Sequence, residues 1–414
     1  MSAMPAGPSL LRAVEVVVDR ASWRAQPSEF RHPFPRALGQ QSGPFPVHLL
    51  SMLLRLGELT TPVLNIQSGV ARLWPLLRYL HAVADTPGFR FQAAWSDTER
   101  HQKDIASDDL GVGLGMAVLY GAFNYTACVD GRAFLHRLSQ LGLLTSGSGM
   151  LPKVGTMKMA DYAAVDRAGK FHLIECKGTQ HSARALARAM ADGQLQKQSL
   201  VCSSPGAERR LIGQRLVVGA HIVLEGAQRD TQVVVMDPAP LTDEPIVLAP
   251  RVPAAALNEP ALRLEVARAL GDAGALRTAL AIAQSDLPAD LPALSGPDQR
   301  ERANSALDQD EAELGTFEDF GDVWRGERVV VPLLAPLILG DRQYRYARLT
   351  KGVSRKLLAE LRERAVVTPL FQDQYPDSAG RMEASDTIAD YDHAAIIRAG
   401  VSVSAIELLE RRKT

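Results

Sequence analysis

Apolar positions recur at helical spacing between Phe45 and Ala84 (Leu49, Leu53, Leu54; then Leu73, Leu76, Leu77, Leu80), which predicts a helical N-terminal region packing an apolar stripe inward. Before it, Met1 to about Gly43 mixes Pro, Gly, Ser and Arg around one strand-like run, Ala13 to Val18. A small-residue helix is expected over Leu110 to Phe123, with Asp108 and Asp109 at its start, where the helix dipole favours carboxylates. Its Gly111, Gly113 and Gly115 do not complete a dinucleotide fingerprint, because Met116 stands where Gly or Ala is needed. Close packing of that helix against a neighbour is the better reading. A second helix, Arg132 to Leu143, runs into the flexible Ser146-Gly147-Ser148-Gly149.

Two short apolar runs, Tyr162 to Val165 and Phe171 to Ile174, then flank Asp166-Arg167-Ala168-Gly169-Lys170, a hairpin signal. A helix is expected over Ser182 to Val201, followed by β-rich runs at Gln214 to Leu224 and Thr231 to Met236. Beyond Asp237 the composition turns to Pro and Ala. A helical stretch (Leu262 to Ala283), a polar linker (Leu287 to Asn304), a strand (Val329 to Leu339) and helices at Ser354 to Arg364 and Ser404 to Arg412 follow. The chain divides on this reading into 1–106, helical; 107–240, the chemical core; 241–304, connector and linker; and 305–414, an α/β region, with a boundary near Pro240. No internal repeat is visible.

Composition narrows the classes. The 414 residues carry 46 Lys and Arg against 47 Asp and Glu, a formal charge of -1, so no overall field advertises a polyanionic partner. That argues against a non-specific DNA coat protein, although contacts to phosphate need only a local basic patch. Cys128, Cys176 and Cys202 lack metal-finger or paired spacing, so neither structural zinc nor a disulfide framework is suggested. Met1 to Leu11 lacks a basic region followed by a long apolar run, and the best apolar stretch, Val47 to Leu56, is short and contains Arg55. The expectation is a reduced, cytoplasmic protein with no membrane partner.

The candidate chemistry lies in the hairpin. Gly169 sits where a three-residue loop needs a left-handed residue after a type I turn, and Asp166 suits the turn's first position. If Asp166 pairs with Lys170, Val165 faces Phe171, Ala163 faces Leu173, and Asp161 faces Glu175, with Lys177 on the same sheet face. An even two-residue loop would instead set Asp161 opposite Cys176 and dissolve the cluster. Two close carboxylates repel, and a hard cation with oxygen ligands, Mg2+ or Mn2+, relieves this. Such an ion activates water and neutralises charge on a scissile phosphate, while Lys177 orients or deprotonates the water or stabilises developing charge. The backbone carbonyl of Cys176 is a further candidate metal ligand; its thiol points to the opposite face, toward packing.

Asp161 followed by Glu175-Cys176-Lys177 resembles the PD-(D/E)XK nuclease superfamily over roughly Ser107 to Pro238. It is the only Glu-x-Lys in the chain, and it ends the second hairpin strand ahead of a helix and further strands. The resemblance implies a restriction-endonuclease-like α/β fold: a mixed central sheet flanked by helices, here with helical N-terminal and α/β C-terminal additions. It also implies metal-dependent phosphodiester hydrolysis, with DNA ahead of RNA as substrate, in restriction, repair or phage defence. On the following helix the family often places a supporting Gln or Lys; Gln194 is the choice here, with Gln198 and Lys197 as alternatives and an exposed helix edge as the competing reading. Lys158, Arg184 and Arg188 are candidate phosphate contacts, and Arg209, Arg210 and Arg215 weaker ones; a solvated face competes for each. Two departures stand out: Ala160 replaces the family's Pro, and no acid falls between Leu110 and Asn124, with Glu99 and Asp108-Asp109 nearest. The missing acid, with the nearly balanced charge, favours a competing reading, an inactive nuclease-fold platform in a larger assembly. A third reading has a partner protein docking on the C-terminal segment.

Overall fold

The computed structural model describes residues 10–28, 31–61, 72–146, 160–197, 200–202, 204–239, 246–248, 254–283, 297–319, 322–339, 341–363, 388–391, 393–399 and 402–411. Strands β1 (Leu11–Val18), β2 (Gly43–His48), β3 (Ala127–Asp130), β4 (Leu144–Ser146), β5 (Tyr162–Val165), β6 (Phe171–Thr179), β7 (Leu200–Cys202), β8 (Ile212–His221), β9 (Gln232–Met236) and β10 (Ile246–Leu248) build two sheets. The larger has seven strands in the order β2-β1-β9-β8-β6-β5-β3. Its β1/β9 and β6/β8 pairs are parallel and the rest antiparallel, so the chain is mixed α/β with a mixed central sheet.

Alternation along β8 shows why both faces of this sheet are covered. Val218 joins the large core with Leu110 and Leu114 of helix Arg100–Phe123, while Val217 packs with Leu186 and Met190 of helix Ala183–Lys197. The first of these helices approaches β6 closely. A Cβ added to Gly111 would stand 2.5 Å from the Lys177 carbonyl oxygen, and one on Gly178 would stand 1.7 Å from that of Ser107. Gly113 serves the helix's other side, where Met52 of helix Leu49–Thr60 occupies the space a side chain would take. The glycine triplet is therefore a packing device.

Strands β11 (Gly315–Asp319), β12 (Asp322–Leu339), β13 (Arg342–Ser354), β14 (Ile388–Tyr391), β15 (Ala394–Ala399) and β16 (Ser402–Leu409) form a third, antiparallel sheet of six. Helices Leu276–Ala283, Pro297–Glu313 and Arg355–Glu363 share a core at its edge. Among the described residues no helix is long and apolar enough to cross a membrane.

Five local expectations differ from this structure. The helix expected to reach Val201 ends at Lys197, with Leu200 and Val201 in strand β7. The N-terminal region is not solely helical: β1 and β2 extend the central sheet, because β1 pairs with β9, a partner far along the chain that no local pattern announces. The helix expected from Leu110 begins at Arg100, so Asp108 and Asp109 lie inside it, away from the dipole's positive end. The expected polar linker is helical from Pro297 onward. The helix expected over Ser404 to Arg412 is strand β16, held by ladders to β13 on one side and β15 on the other. Its Val403 packs with Trp324 and Ile396 on one face while Ile406 and Leu408 enter the large core on the other. Pairing and two-sided burial outweigh a helix-compatible local sequence. The boundary near Pro240 lies outside the described residues.

Candidate active site

The hairpin has the register its loop dictates. Asp166 N–H donates to Lys170 O at 2.9 Å, Gly169 N–H donates to Asp166 O at 2.9 Å, and the Asp166 carboxylate accepts from Lys170 N–H at 2.9 Å. Gly169 has φ +70°, the left-handed conformation that a glycine adopts without penalty. Asn258 fixes the turn from outside, donating to Gly169 O at 2.6 Å. Val165 then faces Phe171, and Ala163 faces Leu173.

The ladder stops at Tyr162, and the way it stops makes the site. With Asp166 and Lys170 a bonded pair, the even-numbered residues of β6 turn N–H and C=O toward β5, so Cys176 presents both where β5 has ended. Asp161 Oδ2 accepts that Cys176 N–H at 2.9 Å, and the Asp161 amide donates to Glu175 Oε2 at 3.2 Å. Lys177 Nζ donates to Glu175 Oε1. Asp161 O is taken in turn by Gly131 N–H at 2.9 Å, so the start of helix Gly131–Gln140 is pinned to the site. Asp161, Glu175 and Lys177 are thus one bonded cluster at the end of the hairpin, joined by a backbone amide as well as by side chains.

Glu175 is fully buried, and Lys177 is partly covered. Burial, then the neighbouring Asp161 carboxylate, push the Glu175 carboxyl up to about 7, against the pull of Lys177. Burial likewise raises Asp161, opposed by the Cys176 N–H it accepts and by Lys177. Burial works to lower Lys177, but its bond to Glu175 and the surrounding carboxylates carry it above the usual lysine range.

The cluster opens into a polar cleft of about 460 Å3 lined by Asp108, Asp109, Asp130, Arg132, Asp161, Cys176 and Lys177, among others. Asp108 comes from helix Arg100–Phe123, and partial burial raises its carboxyl despite Lys177 nearby. The sequence offered it only as a nearby acid outside the helix; its place inside the helix, one turn ahead of the Gly111 contact with Lys177, is what brings it to the cleft. Asp130 and Arg132 were not anticipated at all. The signal available for them was Asp130 itself, an N-cap residue whose carboxylate accepts from Ala133 N–H at 2.7 Å.

Other expected residues fall differently. The inward stripe of helix Ala183–Lys197 is Leu186, Met190 and Gly193. A Cβ on Gly193 would lie 3.1 Å from Glu175 Cγ and 3.2 Å from Lys177 Cε, so this helix does back the cluster, at the residue before Gln194. The Gln194 and Lys197 side chains, and Gln198 and Lys158 entirely, lie outside the described residues. Arg184 and Arg188 are exposed on that helix, and Arg209 and Arg210 on another. Arg215 is no phosphate contact: it is buried in an ion pair with Glu208 and donates to Leu200 O at 3.0 Å. All three cysteines are buried thiols.

The donors of this cleft are carboxylate and carbonyl oxygens, the set a hard divalent cation takes. Asp161 Oδ1 has no hydrogen-bond partner among the described residues. Glu175, however, has both oxygens engaged, and among the described residues no three His, Cys, Asp or Glu side chains are grouped as a metal-binding set. No family model, curated protein or solved structure matches the chain.

Proposed function

We propose that the chain is a metal-dependent nuclease of the PD-(D/E)XK type that hydrolyses phosphodiester bonds in DNA. The observation that supports this reading most is the joining of Asp161, Glu175 and Lys177 into one bonded cluster at the mouth of an acid-lined cleft. Asp161, the Cys176 carbonyl and Glu175 would hold Mg2+ or Mn2+, with Asp108 as a fourth donor. The ion would supply Lewis acidity toward a phosphate oxygen and a nearby water. Glu175 would hold such an ion with the oxygen that now accepts from Lys177, and the Lys177 ammonium would position the attacking water and balance charge on the phosphate. Helices Arg100–Phe123 and Ala183–Lys197, pressed onto β6 from opposite faces at Gly111 and Gly193, hold Lys177 in place for that role.

A second reading, a platform subunit that retains the fold without catalysis, is favoured by the engaged oxygens of Glu175 and the missing three-ligand group among the described residues. Incubation of the pure protein with supercoiled, linear and single-stranded DNA, with and without Mg2+ or Mn2+, separates the two. Cleavage only with metal supports the nuclease. Inertness toward every form, together with no manganese binding at the hairpin, supports the platform.

A further inference from the structure

The cleft holds an arginine with no partner among the described residues. Arg132 is the second residue of helix Gly131–Gln140, exposed at the rim, and it makes no ion pair or hydrogen bond with any described residue. Asp108, Asp109, Asp130 and Asp161 line the same cleft, and a guanidinium among carboxylates ordinarily closes onto one of them. Here the nearest in sequence is committed elsewhere: Asp130 caps the helix through Ala133 N–H. Asp109 accepts from the Tyr79 hydroxyl at 2.5 Å and Asp161 Oδ2 is held by Cys176, which leaves Asp108 and Asp161 Oδ1, the oxygens assigned above to a metal ion.

The backbone beneath Arg132 is also fixed. Gly131 donates to Asp161 O, and a Cβ on Gly131 would stand 2.1 Å from Ala160 O, so the helix start cannot shift without moving Asp161. The Arg132 side chain is thereby anchored at a fixed backbone position beside the cluster, with no described residue engaging its fork of donors. Such a fork matches a pair of phosphate oxygens, and lysine does not.

We propose that Arg132 is the phosphate-contacting residue of this site, gripping the nucleic-acid backbone at the rim so that a phosphodiester lies over Asp161 and Lys177. The proposal rests on the nuclease reading and adds to it the residue that positions the substrate. It also accounts for how a chain of nearly balanced charge, with an acidic cleft, would admit a polyanion at this point.

The test is metal-dependent cleavage of a short labelled DNA by the full chain in manganese, measured over a range of DNA and salt concentrations. Arg132→Ala should raise KM by about tenfold or more, since a charge-assisted phosphate contact is lost. It should also lower the salt slope of binding by roughly one phosphate contact, with a smaller change in kcat. Arg132→Lys should restore the salt slope but recover only part of KM, because charge returns without the fork. The midpoint of thermal unfolding should stay unchanged for an exposed side chain without partners; should Arg132→Ala unfold, Arg132→Gln carries the same comparison. Cleavage by the unmodified chain with KM and salt slope unaltered in Arg132→Ala overturns this role and leaves the nuclease reading standing. A fall in kcat alone overturns it too. Absence of cleavage by the unmodified chain in every metal removes both.

Discussion

Glu175 is a carboxylate placed where water cannot reach it, beside a second carboxylate and one lysine. Its folded-state pKa, about 7, lies above the ordinary value of 4.5, so the native state takes up a proton that the unfolded chain releases. The sign follows: without metal, stability is greatest below the unfolded pKa and falls as pH rises from about 4.5 to about 7. Thermal unfolding across that window in the presence of a chelator should show a loss on the order of 1–3 kcal/mol. Glu175→Gln should flatten this slope, and an unaltered slope in the variant would place its origin elsewhere. Manganese reverses the picture, since it binds the deprotonated form and should stabilise the protein more as pH rises through about 7. That stabilisation should vanish in Asp161→Ala and Glu175→Ala and survive in Lys177→Ala, because only the first two remove a proposed ligand. In the metal-free state each deletion relieves like-charge repulsion but also orphans a donor, Cys176 N–H for Asp161 and both Asp161 N–H and Lys177 for Glu175, so the melting temperature should fall modestly in both.

At the scale of elements, the hairpin was legible because its register is written in five consecutive residues: Asp166 and Gly169 fix the loop, and the loop fixes which residues of β5 and β6 share a face. The end of the ladder was not legible. Asp161 leaves the strand to accept Cys176 N–H, and its carbonyl goes to Gly131, a residue of a different helix. Asp108 and Arg132 reach the cleft through helix packing that depends on glycines whose local sequence says only that they are small. Those contacts give a direct comparison. Gly178→Ala places a methyl within 1.7 Å of the Ser107 carbonyl oxygen and should cost about 1–3 kcal/mol or more, disturbing Lys177 and cleavage with it. Gly206→Ala, in a helix with nothing within 4 Å of the added carbon, should be neutral or stabilise by up to about 1 kcal/mol. Chemical denaturation of the two variants checks this; equal effects would mean that the close approach of helix and strand is not a constraint.

Over the whole molecule, one buried ammonium ties the C-terminal sheet to helix Leu49–Thr60, beside the apolar core that the two share. Lys351 of β13 donates to Glu58 of helix Leu49–Thr60 and to Ser404 of β16, each at 2.7 Å, and lies 3.5 Å from Asp272. Burial opposes the Glu58 charge, but Lys351 and Arg55 hold its carboxyl far below the usual range. Removing the ammonium by Lys351→Met takes from buried Glu58 its hydrogen-bonded cation, leaving Arg55 at 3.9 Å, while Asp272 keeps its ion pair with Arg72; the loss should be about 3 kcal/mol in denaturant unfolding, with part regained on adding Glu58→Gln. A loss under about 1 kcal/mol would show that the C-terminal sheet does not depend on this tie. None of it could be read from the sequence, since 293 positions separate Lys351 from Glu58. The chemistry claimed for the molecule stands or falls on one comparison: cleavage of supercoiled DNA in manganese by the unmodified chain and by Lys177→Ala, both folded and both stabilised by the metal. The account predicts nicked or linear product from the first and none from the second. Equal cleavage by both, or none by either, contradicts it.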